Sequence, residues 1–171
     1  MNLNEIALLR LANQQISASK LKAEKELVSW MGTIQAQDFP MSKWAVGIRL
    51  PGSTEKSVEA AIDSGEIIRT HVLRPTWHLV SADDVYWMLE LSAPQIKTAA
   101  RSRDRELGLT DNTISHCNNL LEKWLRDRNF LSREAVVKKL AEAGFSNDNN
   151  RASHILMRAE IDGIIGSGPT K

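Results

Sequence analysis

The 171-residue sequence predicts a mainly α-helical protein with small β-hairpins. Apolar residues recur at helical spacing along most of the chain, as Leu27, Met31 and Ile34 do. Serine and threonine residues stand just before several of these segments, where they can cap helix N-termini. Over residues 67–80 the pattern changes to alternation of apolar and polar residues, which is typical of strands.

Three helices are predicted in the first part of the chain. Residues 4–15 carry a partly apolar face. Residues 24–35 carry a buried stripe that Pro40 and the residues before it break, because the residue before a proline disfavours helical backbone. A third helix is capped by Thr54 and is expected to end at Gly65.

A hairpin and a fourth helix come next. Within residues 67–80, residues 74–76 supply a turn, with a proline that presets the backbone angle, and residues 77–80 form the returning strand. The spacing of polar residues after this strand resembles a capping box. It predicts a helix that starts at about residue 82 and ends near Pro94.

The last part of the chain is again helical. Residues 96–107 are highly charged and are either a solvated helix or an interdomain linker. One helix is expected over about 111–127, a second between Ser132 and Gly144, and a third over about 150–162. Ile164-Ile165 then begins a strand.

Three helices followed by a strand are the order of a winged helix, in which the last helix reads a groove of DNA. The sequence predicts tandem winged-helix (helix-turn-helix) units at residues 1–95 and 108–171, joined by residues 96–107. The chain stops at residues 166–171, where the second wing should begin, so we expect a truncated second unit and a fragment of a longer protein. An incomplete wing would leave a strand edge open to self-association.

Composition narrows the function classes. The formal net charge of +1 excludes a globally basic nucleic-acid binder, so DNA contacts must come from local cations. The single cysteine, Cys117, excludes an intrachain disulfide framework and a cysteine-based zinc site, and it suits the reducing cytoplasm. We therefore predict no metal and no cofactor. No apolar run approaches the roughly 20 residues of a membrane span.

The most distinctive motif is Gln35-Ala36-Gln37-Asp38, which precedes the basic, aromatic and histidine-bearing hairpin over residues 67–80. Two amides at positions i and i+2 are interpreted as the end of the helix over residues 24–35. On the residues alone, polar groups that bond the local backbone at a helix end are the simpler interpretation of Gln35 and Gln37. Asp38 either caps a turn or acts as an acid–base group.

With Asp84 and Trp87 in the following helix, these motifs resemble the opening of the winged-helix DNA glycosylases that unhook alkylated purines and interstrand crosslinks, the AlkZ-like family. The resemblance covers nearly the whole chain but only the front part of the family's usual length. In that family two such amides lie at the site of N-glycosidic cleavage, and a sister branch has aspartate at the second position. Because this chain has Gln37 there, the resemblance implies that Gln35 and Gln37 are the catalytic residues.

The implied chemistry suits glutamine. A glutamine side chain does not titrate, so it can position a water and stabilise a cationic sugar but cannot fully remove a proton. An N7-alkylated guanine already carries a positive charge and leaves as a neutral base. We therefore expect a monofunctional glycosylase that hydrolyses the N-glycosidic bond of alkylated purines, including crosslinked ones, in duplex DNA. Since the family needs later domains to complete its DNA surface, this chain alone could be inactive while its parent is an enzyme.

Further DNA contacts are expected from basic residues and one histidine, namely Lys43, Arg69, Arg74, His78, Arg151 and Arg158. For His78, a partly buried histidine bonded to backbone is the simpler alternative. The alternative function is a non-catalytic winged-helix DNA-binding module, such as a transcriptional regulator, in which the helix over residues 150–162 reads DNA. A protein scaffold without DNA affinity is a third alternative that the near-neutral charge allows.

Overall fold

Helices form most of the computed structural model, which describes residues 2–170. Within these residues eight α-helices and three short strands follow in chain order: α1 (Leu3–Asn13), α2 (Glu24–Met31), β1 (Thr33–Gln35), α3 (Phe39–Gly47), α4 (Glu55–Asp63), β2 (Ile67–His71), β3 (Trp77–Ser81), α5 (Val85–Glu106), α6 (Asp111–Leu125), α7 (Arg133–Glu142) and α8 (Arg151–Ile161). This mainly helical fold with a small sheet confirms the predicted fold class.

Two compact units are present. The first comprises the described residues up to Thr70, together with Thr76–Val85 and the residues from Ser167 onward. The second comprises His71–Pro75 and Tyr86–Gly166. Each unit contains its own buried apolar cluster.

The core of the first unit lies between α2, α3, α4 and β3. Leu27 and Val28 of α2, Val46 of α3, Val58 of α4 and Leu79 of β3 are all fully buried. Burial of a side chain of this size stabilises the fold by about 1.5–3 kcal/mol. Thr54 caps α4 as predicted, since its side chain accepts a hydrogen bond from the backbone N–H of Ser57 at 3.1 Å.

The sheet has the strand order β1-β3-β2. β1 runs antiparallel to β3, with Thr33 opposite Val80, Ile34 opposite Leu79, and Gln35 opposite His78. The predicted hairpin over residues 67–80 is confirmed by β2 and β3. At the end of β1 the register continues, because the backbone N–H of Ala36 donates to the carbonyl of Trp77 at 2.7 Å.

The predicted helix over residues 24–35 is too long, because α2 ends at Met31. Gly32 follows with φ of +74°, a conformation that glycine adopts without a steric penalty, and the chain continues as β1. Ile34 fits helical spacing from Leu27 and equally fits the inward side of a strand. The Gln35–Gln37 motif therefore does not end a helix.

Pro40 also acts differently from the prediction. It lies in the first turn of α3, where a missing backbone N–H costs nothing because these donors have no partner inside the helix. Asp38 caps this helix, and its carboxylate accepts a hydrogen bond from the backbone N–H of Met41 at 3.1 Å. Proline thus begins a helix here instead of only ending the previous one.

Helix α5 passes through Pro94 and continues to Glu106, so the predicted helix end near Pro94 is wrong. Glu90 and Pro94 are both exposed, so water can replace the hydrogen bond that the proline removes. The charged segment that follows belongs to this helix. It is not fully solvated, since Ile96 and Asp104 are buried.

The second unit is built on α6, α7 and α8. Its core includes Cys117 and Leu121 of α6, Leu140 of α7, and Ile155 and Ala159 of α8, all of which are fully buried. Helix α6 starts after the N-cap Thr110, and the predicted N-cap Ser132 is confirmed by its hydrogen bond from the backbone N–H of Ala135 at 3.2 Å.

The strand expected at Ile164-Ile165 is not formed. Helix α8 ends in a Schellman motif, with Gly163 at φ of +72° and the N–H of Ile164 bonded to the carbonyl of Ala159 at 2.9 Å. Because the N–H of Ile164 is bonded to the end of α8, it is not available for pairing with a strand. Farther along, the N–H of Ser167 donates to the carbonyl of Arg69 at 2.9 Å and forms an isolated bridge with β2.

Among the described residues, no helix is both long and apolar enough to cross a membrane. Residues 2–170 also contain no group of three histidine, cysteine, aspartate or glutamate side chains arranged to hold a metal ion.

The first prediction concerns Cys117. Burial raises the pKa of its thiol to about 11, although the positive charge of Arg151 lowers it in part. At about pH 8 such a thiol is about 0.1% thiolate, whereas an exposed thiol is roughly a quarter thiolate. We expect Ellman's reagent to label the native chain at least about 100-fold more slowly than the chain unfolded in guanidinium chloride. Equal rates in the two states would show that Cys117 is accessible and not perturbed.

Candidate functional site

Gln35 and Gln37 are both exposed, the first at the end of β1 and the second in the bend that follows it. Exposure alternates through this segment, because Ile34 and Ala36 are buried whereas both glutamines are exposed. Side chains two residues apart share a face only in extended backbone, since in a helix they would point about 200° apart. Because the backbone is extended up to Ala36, both amides can be exposed while the residues between them and before them are buried.

β3 holds this segment through its backbone. Besides accepting from Ala36, Trp77 donates its own backbone N–H to the side-chain oxygen of Gln37 at 3.4 Å. This distance exceeds the usual range for a strong hydrogen bond, so it orients Gln37 only weakly. Gln35 lies opposite His78 in the strand register.

Arg69 contacts the same segment from β2. Its Nε–H donates to the carbonyl oxygen of Ala36 at 3.1 Å. Its guanidinium lies over the ring of Trp77, 4.6 Å from the centroid, and over the ring of Phe39 at 5.3 Å. Arg69 is thus half-buried beside the motif.

A small cleft adjoins Arg69. It is lined by Phe39, Ile62, Arg69 and residues 167–170, and has a volume of about 180 Å³. Pockets that enclose a small molecule are usually larger, about 300–1,000 Å³. Together with the exposure of both glutamines, this volume indicates an open surface in this part of the first unit.

Two predicted DNA contacts in the first unit are largely buried. Lys43 is 8% exposed, and its ammonium is paired with Glu55 at 2.5 Å and Glu59 at 2.6 Å. These hydrogen bonds, to Glu55 first and Glu59 second, raise the pKa of Lys43. His78 is 4% exposed, and its Nδ1 donates to the carbonyl of Thr76 at 2.8 Å. Neither side chain is presented as a surface cation.

The remaining predicted contacts lie in the second unit. Arg74 is exposed on the connection between β2 and β3. Arg151 is half-buried, with its guanidinium 5.9 Å from the ring centroid of Phe145. Arg158 is 8% exposed and bonds the carboxylate of Asp104 at 2.5 Å.

Helix α8 is poorly placed to read DNA. Each of its residues, Arg151–Ile161, is buried or half-buried. A recognition helix must offer several side chains to base edges. In the described chain, α8 has no fully exposed side chain to offer.

The structure thus places Arg69 against the backbone between the two glutamines and leaves Lys43 and Arg158 in ion pairs. Sequence reasoning gave no functional role to Phe39 or Trp77. Both rings do pack against the first unit's core, but they also flank Arg69. The sequence did contain a signal for their role, because Phe39 directly follows Asp38 and Trp77 begins the returning strand of the hairpin.

Two of the comparisons with known proteins find a match. A family model described as DNA glycosylase AlkZ-like matches residues 28–171. Among solved structures, the DNA glycosylase AlkZ of Streptomyces sahachiroi is similar, with a TM-score of 0.79 and 19% sequence identity. The match covers 95% of this chain but 45% of that one, so the chain spans less than half the length of that glycosylase. A search of curated protein sequences finds no match.

A second prediction distinguishes a structural Arg158 from a DNA contact. The substitution Arg158→Ala leaves the Asp104 carboxylate, which is 4% exposed, without its cation. We expect the free energy of unfolding to fall by about 3–5 kcal/mol, measured by denaturant titration followed by circular dichroism.

The matched control is Arg101→Ala, which removes an exposed arginine from the same helix as Asp104. It should change stability by less than about 0.5 kcal/mol. If Arg158→Ala left stability unchanged and weakened DNA binding instead, the predicted DNA contact would be correct and our structural assignment wrong.

Proposed function

The chain belongs to the AlkZ-like family of DNA glycosylases, and we propose that it carries the catalytic front part of an enzyme that hydrolyses the N-glycosidic bond of alkylated purines in DNA. One observation carries the proposal. Gln35 and Gln37, the residues to which the motif resemblance gives the catalytic role, are both exposed, and β3 fixes the backbone between them. Two neighbouring amides in that arrangement can contact one water or one substrate group.

The amides define which bases can leave. Each offers an oxygen that accepts and an NH₂ group that donates, and neither can gain or lose a proton at neutral pH. They can orient a water toward the anomeric carbon and stabilise positive charge that develops on the sugar. Without an acid to protonate the departing base, the reaction suits bases that are already cationic, such as N7-alkylguanine.

The open site suits a bulky lesion. Both glutamines are exposed, and the adjoining cleft is small. A purine crosslinked to the opposite strand cannot be extruded into an enclosed pocket, so a surface site is the arrangement that can reach it. We propose that alkylated and crosslinked duplex DNA is the substrate, and that the reaction takes place in the cytoplasm without a metal or cofactor.

Phosphate contacts in this proposal come from exposed cations such as Arg74. Lys43 and Arg158 are left out because their charges are already paired with carboxylates. Self-association through a C-terminal strand edge is also left out, because the expected strand at Ile164-Ile165 is absent from the described residues. The burial of α8 disfavours the alternative of a binding module that reads DNA with this helix.

A third prediction tests the catalytic pair. The double variant Gln35→Ala, Gln37→Ala of the native gene product should release N7-methylguanine from duplex DNA at least about 100-fold more slowly, since preorganised hydrogen-bonding groups are lost. Released base is measured by chromatography under single-turnover conditions. The wild-type reaction should leave intact abasic sites, and borohydride should trap no covalent adduct, because neither amide is a nucleophile.

Gln95→Ala is the matched control, because it removes an exposed glutamine from α5. Its rate should equal that of the wild type. Unchanged release by the double variant would exclude the assignment of Gln35 and Gln37. Absence of release by a folded, DNA-binding wild type would exclude the glycosylase proposal itself.

A fourth prediction concerns Asp38, whose carboxylate caps α3. Asparagine caps helices about as well as aspartate but cannot act as an acid or a base. We therefore expect Asp38→Asn to keep base release within about twofold of wild type, whereas Asp38→Ala should lower the free energy of unfolding by about 1 kcal/mol. A folded Asp38→Asn variant without activity would instead make Asp38 the acid–base group.

A further inference from the structure

We propose that Arg69 is a positioning residue that fixes the backbone between the two glutamines, in place of the DNA contact expected from the sequence. This inference rests on the proposed function, because it gives Arg69 a role in the same site. Arg69 lies in β2 and reaches β1's continuation with its side chain. Its half-buried guanidinium is directed at backbone and aromatic rings of the first unit.

The hydrogen bonds of Ala36 explain why this contact matters. The N–H of Ala36 belongs to the peptide unit that joins it to Gln35, and it donates to the carbonyl of Trp77 at 2.7 Å. The carbonyl of Ala36 belongs to the peptide unit that joins it to Gln37, and it accepts from Arg69 Nε at 3.1 Å. Each of the two peptide planes of the motif is therefore fixed by one bond, and Arg69 supplies the bond on the Gln37 side.

Ala36 is fully buried, so its backbone groups need partners within the protein. The β1–β3 ladder can satisfy its N–H but ends there, since Gln35 is the last residue of β1. Without the Arg69 bond, the Ala36 carbonyl loses a charge-assisted donor at the point where strand pairing stops. The peptide plane before Gln37 would then be free to rotate.

Two aromatic rings keep Arg69 in this position. Its guanidinium lies 4.6 Å from the ring centroid of Trp77 and 5.3 Å from that of Phe39, both within the range of a cation–π interaction. Both rings pack against the core of the first unit, so they are themselves fixed. The backbone of Arg69 is held as well, because its carbonyl accepts from the N–H of Ser167 at 2.9 Å.

Trp77 joins these contacts to Gln37. Its ring faces Arg69, its carbonyl accepts from Ala36, and its N–H donates to the side-chain oxygen of Gln37 at 3.4 Å. Since that last bond is long, the direction of Gln37 depends mainly on the peptide plane that Arg69 holds. A displacement of about 1 Å in a catalytic group can lower a rate about 100-fold.

The experiment compares Arg69→Met with Arg101→Met. Both variants remove one arginine charge, but Arg101 is exposed on α5 and has no part in the proposed site. Arg69→Met should lower kcat for base release by about 10- to 100-fold, with unchanged DNA affinity and unchanged salt dependence of binding. Arg101→Met should leave kcat and Kd unchanged. If Arg69 were a phosphate contact, Arg69→Met would instead reduce the slope of log Kd against log salt by about one.

A second readout requires no activity. In the free chain, the side-chain NH₂ resonances of Gln35 and Gln37 report their surroundings by NMR. We expect Arg69→Met to shift the Gln37 resonances, and we expect Arg101→Met to leave both pairs unchanged. If the wild type lacks base release, the proposed function fails, yet these resonances still test whether Arg69 orders the motif.

Arg69→Lys is a second variant that tests the proposal if Arg69→Met does not fold. Lysine keeps the charge and the apolar stem but cannot reproduce a planar guanidinium that stacks and donates at once. It should fold, as judged by circular dichroism, and should keep the low kcat of Arg69→Met. Full recovery of kcat by Arg69→Lys, unchanged Gln37 resonances, or a change confined to Kd and its salt slope would each overturn the proposal.

Discussion

The extended backbone of β1 and of Ala36 is the constraint on which the candidate site depends. Side chains two residues apart share a face only in extended backbone. β3 imposes that conformation through the register from Thr33 to Gln35 and the further bond from Ala36 to Trp77. If residues 33–37 continued the preceding helix, the side chains of Gln35 and Gln37 would point about 200° apart.

Local chemistry sets both ends of this short strand. Gly32 stops α2 with a positive φ that other residues adopt only at a cost, and Asp38 starts α3 by capping it, with Pro40 in the first turn. These two helices pack together with α4 around the core of the first unit. The strand therefore runs between two fixed helices, which is why a segment of three paired residues can hold a defined position.

Much of the fold could be predicted because its signals are local. Thr54 and Ser132 are N-caps within three residues of their partners, and the alternation over residues 67–80 is a local pattern that predicts strands, although no residue of β2 or β3 is exposed. The strand β1 was missed because Ile34 fits both the helical spacing from Leu27 and the alternation of a strand. The partners of Lys43 and Arg158 could not be predicted, because Asp104 and Arg158 are 54 positions apart and only the folded chain brings them together.

The proposed reaction would take its selectivity from the limits of the amide group. In water the two exposed amides compete with solvent, so they can contribute strongly only when the DNA covers them and excludes it. Even then they cannot protonate a departing base. Without an acid, an unmodified guanine would have to leave as an anion, whereas an N7-alkylated guanine leaves neutral. If Gln35 and Gln37 are the catalytic pair that we propose, and Asp38 only caps α3, ordinary purines are therefore excluded without a separate mechanism of rejection.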